Sequence, residues 1–243
     1  MNTIKNNRFA KLFFSCLIVS ATFAAVTRPM HASIQYGKAE FGQHSITHSF
    51  YGPLILGFGS NHTIKLFDQK VHLQPELILP VTLLGDFSSA KINLGISSVV
   101  YSKEIWGIGA TADLSLASGE NSMGSLYAPG FSLGLQPGIY KDKWYAAFDF
   151  RYSNTPVVYL KHSDYMKNFF TDIPGVNPPE NGWYLSGNSR YAVGLTGGYT
   201  FSKKLSVTGS IGALLISQKQ NIVSFAMAGI VPIYMPVNLT YHF

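Results

Sequence analysis

The sequence predicts an all-β fold: a closed antiparallel up-and-down transmembrane β-barrel of about ten strands, with roughly eight to twelve compatible with the pattern. Three observations carry this expectation. Strand-length segments alternate apolar and polar residues with a period of two. Only 12% of the chain is charged, against about 25% in ordinary soluble domains. After the N-terminal leader no run of about 18 or more apolar residues occurs, which excludes helical spans.

The alternation is clearest at the C terminus. Phe243, Tyr241, Leu239, Val237, Met235, Ile233 and Val231 form one series. Pro232, Tyr234, Pro236, Asn238, Thr240 and His242 intervene. A strand over Val231–Phe243 is longer than the ~5–6 residues usual in soluble sheets. It satisfies the ~9–11 tilted residues needed to cross a bilayer. A terminal aromatic residue is common in the last strand of bacterial outer-membrane barrels, so Phe243 is the expected handle for the barrel assembly machinery.

The front of the chain reads as a secretory signal peptide over residues 1–32, leaving 33–243 as one barrel domain. Lys5, Arg8 and Lys11 precede an apolar run from Leu12 to Val26, and small residues follow. Cleavage is placed after Ala32. Cys16, the one cysteine, falls inside this leader, so the mature chain carries no thiol chemistry. Lys5, Arg8, Lys11 and Arg28 take four of the 18 basic residues with them, leaving 14 against 12 acidic ones. With no basic stripe, nucleic-acid binding has no support.

Taken in order, Ile34 to Ile46 alternates poorly and reads either as an edge-like first strand or as a partly free terminus. Leu54, Leu56, Phe58, Ile64 and Leu66 share one parity, and Phe67–Lys70 reads as a turn. Val71, Leu73, Leu77, Leu79, Val81 and Leu83 oppose His72, Gln74 and Glu76. Gly85 to Ala90 is read as a short connection. Ile92, Leu94, Ile96 and Val100 mark the next strand. After the turn at Ser102-Lys103-Glu104, Trp106, Ile108, Leu114 and Leu116 oppose Thr111, Asp113 and Ser115. Ala117 to Gly130 is expected to be loop. Phe131, Leu133, Leu135 and Ile139 lead to Lys141-Asp142-Lys143. Trp144, Phe148, Phe150 and Tyr152 return, with Asp149 and Arg151 opposite. Ser153 to Ser189 is expected to be irregular. Tyr191 to Phe201, the turn Ser202-Lys203-Lys204 and Leu205 to Leu215 form a hairpin, and Gln218 to Ile230 leads to the closing strand.

Connections at Phe67–Lys70, Ser102–Ile105, Lys141–Lys143 and Ser202–Lys204 are short. Those after Leu84, Leu116, Tyr152 and Ile216 are expected to be longer, matching the periplasmic and outer asymmetry of bacterial barrels. A soluble β-sandwich or lipocalin-like barrel would satisfy the same alternation with the faces reversed, but the low charge count argues against it.

If the parity holds, Glu76, Asp113, Asp149, Arg151 and Arg190 point inward, with His72 and Gln136. Two roles suit them: a self-paired polar plug, because an unpaired buried charge costs several kcal/mol, or a lining for a small-solute path. Nucleophilic hydrolysis needs a Ser near an oriented His. His44-Ser45, His48-Ser49, Ser153-Asn154 and His162-Ser163-Asp164 are the candidates. Lipid-hydrolysing barrels carry a His two residues before a Ser-Asn pair, where this chain has Arg151. No enzyme, catalytic residue, metal site or cofactor is therefore expected. Gly107, Gly109, Gly197 and Gly198 lie within strands beside aromatics and suit close backbone packing better than a phosphate cradle. Tyr159, Tyr165, Phe169, Phe170, Trp183 and Tyr184 are the candidate partner-binding loop, or alternatively an aromatic girdle with a loop folded over the mouth.

The aromatic-rich Tyr165–Gly182, the hairpin Tyr199-Thr200-Phe201-Ser202-Lys203-Lys204-Leu205-Ser206-Val207-Thr208-Gly209, and the ending Tyr241-His242-Phe243 resemble the MipA/OmpV family of bacterial outer-membrane proteins. The resemblance is confined to the C-terminal third, and the Ser-Pro pair expected between Gln218 and Ile230 is missing. It implies a scaffolding barrel linked to murein-processing enzymes, or a surface adhesion or antigen role, and no catalytic residue. The sequence reading is thus an outer-membrane barrel with a structural or interaction role. Its partners would be outer-membrane lipid and a protein in the periplasm or at the cell surface. A narrow channel for small solutes is the alternative, and a lipid-modifying hydrolase the weaker one.

Overall fold

The computed structural model describes residues 44–50, 54–66, 69–81, 89–121, 124–171, 178–217 and 233–243. The expected leader, the segment 34–43 and the connection Gln218–Ile230 lie outside the described residues. The strands are β1 (His44–Phe50), β2 (Leu54–Ser60), β3 (His62–Leu66), β4 (Gln69–Val81), β5 (Ser89–Lys103), β6 (Trp106–Asn121), β7 (Gly124–Tyr140) and β8 (Trp144–His162). A helix, α1 (Asp164–Thr171), follows, and then β9 (Gly182–Ser202), β10 (Leu205–Ser217), β11 (Ile233–Tyr234) and β12 (Val237–His242).

All pairings are antiparallel, and they form one curled sheet. β2 and β3 share one register on β4, so they are one strand line broken at Asn61. β11 and β12 likewise share one register on β10. They are broken at Met235-Pro236, where proline has no N–H to donate. The expected continuous strand Val231–Phe243 is therefore two pieces, although Ser210 N still donates to the Pro236 carbonyl at 3.0 Å. Merging these lines gives ten strands. β1 pairs with β2 on one side and with β12 on the other, from Ser45↔His242 to Phe50↔Val237.

The first described strand is His44–Phe50, and the segment Ile34–Ile46 lies outside the described residues except for its last three. Two local expectations are corrected. Ala117–Gly130 is not a loop: β6 runs to Asn121 and β7 begins at Gly124, so all of that stretch outside residues 122–123 is strand. Ser153–Ser189 is not irregular, because β8 continues to His162, α1 follows, and β9 begins at Gly182. Ser, Gly and Asn in these stretches read as loop because they lack an apolar stripe. Cross-strand ladders nevertheless hold them, as in Ala117↔Ala128 and Tyr159↔Trp183. β6 to β9 consequently form a wall taller than the rest of the sheet.

The two faces of the sheet are opposite in polarity. Ile92, Leu94, Ile96, Leu114, Leu133, Leu135, Phe148, Phe150, Val193 and Leu195 are exposed, while Asn93, Thr111, Asp113, Ser132, Gln136, Asp149, Arg151 and Thr196 are buried. Aromatic rows edge this apolar face. Beside the short turns lie Tyr101, Trp106, Trp144, Tyr199, Phe201, Tyr241 and Phe243, with the Lys141 ammonium 5.3 Å above the Trp144 ring. Farther along, Tyr152 packs between Phe131 and Tyr191, with ring centroids 6.0 and 5.1 Å away. Trp144 and Tyr152 are eight residues apart on β8. At ~3.3 Å per residue and ~40° tilt that is about 20 Å of height, close to the ~25 Å band of membrane barrels.

Close strand approach depends on glycine at particular points. A Cβ on Gly138 would fall 2.3 Å from the Ala146 carbonyl oxygen and 2.5 Å from Ala147, whereas one on Gly209 would meet nothing nearer than 3.8 Å. Gly138→Val is expected to force β7 from β8 at a cost of about 1–3 kcal/mol or more. The fraction of refolded protein migrating fast on unheated gels should fall for Gly138→Val and stay at the wild-type level for Gly209→Ala.

Candidate functional site

The buried face is built from cross-strand rows, because residues facing one another in register share a side of the sheet. One row runs Gln74–Gly95–Asp113–Ser132–Ser153–Arg190 across β4 to β9. The next, toward the short turns, is His72–Ser97–Thr111–Gly134–Arg151–Ala192. On the far side lie Glu76–Asn93–Ser115, then Ile78–Lys91–Ala117–Ala128. Glu76, Asp113, Asp149 and Arg151 are buried, and Arg190 is half-buried.

These groups are tied together. Asp149, only 3% exposed, accepts from the Gln136 amide at 2.8 Å and from the Arg151 guanidinium at 3.3 Å. Asp113 accepts from the Ser132 hydroxyl at 2.7 Å and, more weakly, from the Asn93 amide at 3.5 Å. Lys91 is attracted by Asp113 and Glu76 and repelled by Arg190 and Arg151. Three acids thus face three bases across this wall. Small residues make room for them: a Cβ on Gly95 would sit 2.7 Å from the Asp113 carboxylate, and one on Gly134 would sit 2.5 Å from Thr111 Oγ1.

Toward the short turns the face becomes aromatic and then hydroxylic. Tyr140 and Tyr145 stack at 5.9 Å, nearly parallel, and the Tyr140 hydroxyl donates to the Gln136 carbonyl at 2.5 Å. Gly198 leaves space for the Tyr145 ring, where a Cβ would stand 2.5 Å from it. On β10 and β12, the Asn238 amide donates to Thr208 Oγ1 at 3.2 Å, and Ser206 Oγ lies 3.1 Å from His242 Nε2. This wall carries no acid or lysine or arginine among its described residues.

Lys91, Asn93 and Ser132 were not singled out as sites in the sequence, although each has the inward parity of its strand. The Ser206–His242 pair joins residues distant in sequence. Its spacing suits a nucleophile and base, and the two residues are buried, 2% and 1% exposed. The local candidate His162-Ser163-Asp164 serves another purpose. Ser163 Oγ accepts from the Met166 amide at 3.2 Å and caps α1, while the His162 amide donates to Asn181 Oδ1 at 2.7 Å.

The candidate partner-binding residues divide among three elements. Tyr159 is on β8, and Trp183 and Tyr184 are on β9; Tyr165, Phe169 and Phe170 belong to α1. Tyr159 and Trp183 meet edge to face at 5.4 Å, and Tyr127 adds a third ring 6.3 Å from Tyr159. Tyr184 turns to the other side of the sheet. Its ring lies 6.4 Å from His162, and its hydroxyl donates to the Glu180 carbonyl. The six residues are therefore spread over three elements.

No protein-family model and no curated protein matches the chain. Two solved structures of KdgM porin resemble it, one of them described as a complex with disordered oligogalacturonate. Sequence identity is 11% and 12%, the TM-score is 0.32 for both, and each match covers 82% of this chain and 98% of that chain. No family model supports the MipA/OmpV likeness of the C-terminal motifs.

Removing one member of a buried ion pair strands the other, at about 3–5 kcal/mol. Arg151→Ala should therefore destabilise the folded protein in urea by roughly that amount, and adding Asp149→Asn should recover much of it. Additive losses in this double-mutant cycle would show the pair to be uncoupled.

Proposed function

We propose that the chain is an outer-membrane β-barrel, closed through the β1–β12 pairing, with a structural or partner-binding role and no enzymatic activity. One observation carries this reading: between the short turns and the Tyr152–Tyr191 row, the exposed side chains of β4 to β9 are mostly apolar and the buried ones mostly polar. A soluble sheet places them the other way round, whereas a lipid-facing barrel requires this arrangement. Backbone pairing of the first strand with the last suits the same setting, where each unpaired amide in lipid costs several kcal/mol. A lumen of ten strands is narrow enough for side chains to fill, and the three-acid, three-base set with the Tyr140–Tyr145 stack fills it as a polar plug. The scaffold role that a MipA/OmpV likeness implies rests only on its C-terminal motifs.

A second reading, a narrow channel for small solutes, is favoured by one feature. Among the described residues, Ser97 Oγ, Thr111 Oγ1, Gln136 Oε1 and Arg151 Nε are buried with no protein hydrogen-bond partner. Such atoms would serve water or a small polar solute along a lumen.

Heat-modifiability on gels and recording in planar bilayers test both readings together. The expected result is a folded band that migrates faster unboiled, with no steady conductance. A water-soluble monomer without a heat shift would overturn the membrane reading. Steady conductance that changes in selectivity on Arg151→Ala or Glu76→Ala would replace the plug with the channel.

A further inference from the structure

The tall wall of β7 to β9 carries a third aromatic row, beyond the two that edge the apolar band. Tyr127, Tyr159 and Trp183 are cross-strand neighbours in register. Their rings contact one another at 6.3 and 5.4 Å, and they face outward. Trp183 is 63% exposed and Leu185, beside it on β9, is 69% exposed. Lys161, two residues beyond Tyr159 on the same face of β8, is also exposed.

The apolar band ends below this row. The Tyr152 hydroxyl accepts from the Asn154 amide at 2.9 Å and lies 3.3 Å from Ser189 Oγ. That polar rim is where a lipid-facing surface meets water. Tyr159 is seven residues farther along β8, about 18 Å higher at ~3.3 Å per residue and ~40° tilt. Headgroups of an ordinary bilayer occupy only about 5–8 Å on each side. The third row therefore clears them, while the outward wall carrying it continues the lipid-facing face. Exposed aromatic faces in a row pack well on the C–H faces of sugar rings, and Lys161 beside them complements a phosphate.

We propose that Tyr127, Tyr159, Trp183 and Lys161 form a docking surface for the phosphorylated sugar head group of an outer-leaflet glycolipid. The proposal rests on the outer-membrane reading. A glycolipid chain would lie in the membrane against the apolar band, and its extended saccharide would reach the row above. The barrel would then hold a ring of specific lipid on the β7–β9 side alone.

The intact protein, immobilised in detergent, is titrated with two probes: lipopolysaccharide bearing a phosphorylated core oligosaccharide, and lipid A lacking it. Saturation by the core-bearing probe at a concentration about tenfold lower or more is expected. Trp183→Leu, Tyr159→Leu and Lys161→Gln should each reduce that preference while keeping the wild-type heat shift on gels. Equal response to both probes, or unchanged preference in all three variants, overturns the docking surface and leaves the barrel reading standing. A wild-type protein with no heat shift overturns both.

Discussion

Below the Tyr152–Tyr191 row the sheet has an apolar exposed face and a polar buried one, and that division, which a sheet with lipid on one side would require, organises this chain. The period of two in a strand divides the residues without a choice of register. Ile92, Leu94 and Ile96 take one face of β5, while Asn93, Gly95 and Ser97 take the other. The buried face pairs its charges: Asp149 is found between Gln136 and Arg151, and Asp113 between Ser132 and Asn93.

Glycine and serine are as much part of this interior as the charges. Gly95, Gly134 and Gly198 stand across from Asp113, Thr111 and Tyr145, and each leaves the volume that a larger side chain occupies. Rows that alternate a long residue with a short one fill a narrow space without overlap, as interdigitated layers do in a packed core. The sheet has a charged wall on β4 to β9 and a neutral, hydroxyl-lined wall on β10 and β12. The Ser206–His242 and Thr208–Asn238 contacts hold β12 to β10 beside its pairing with β1.

The height of β6 to β9 separates the sheet into a lower part with an apolar exposed face and an upper part that obeys different rules. Below the Tyr152–Tyr191 row, apolar residues face out and polar ones in. Above it, Ala117, Ala128 and Val158 are buried with Leu126, Leu160 and Tyr184 against them, and aromatic rings stand exposed on the other side. The inner face thus turns from polar to apolar once the strands leave the band.

The sequence by itself determined the strand parity, the short turns at Lys141–Lys143 and Lys203–Lys204, a count of about ten strand lines, and the shared side of their strands on which Glu76, Asp113, Asp149, Arg151 and Arg190 are expected. Each is a local consequence of period-two alternation, which one strand displays without its neighbours. Tertiary structure alone decided which strand faces which, and therefore that Arg151 bonds to Asp149 and that Ser206 meets His242. It also decided that Tyr159 and Trp183 are neighbours rather than ends of a loop. The upper halves of β6 to β9 were illegible for the same reason: there the faces no longer divide into apolar outside and polar inside. Only the hydrogen-bond ladder to the next strand, a partner distant in sequence, makes those residues β.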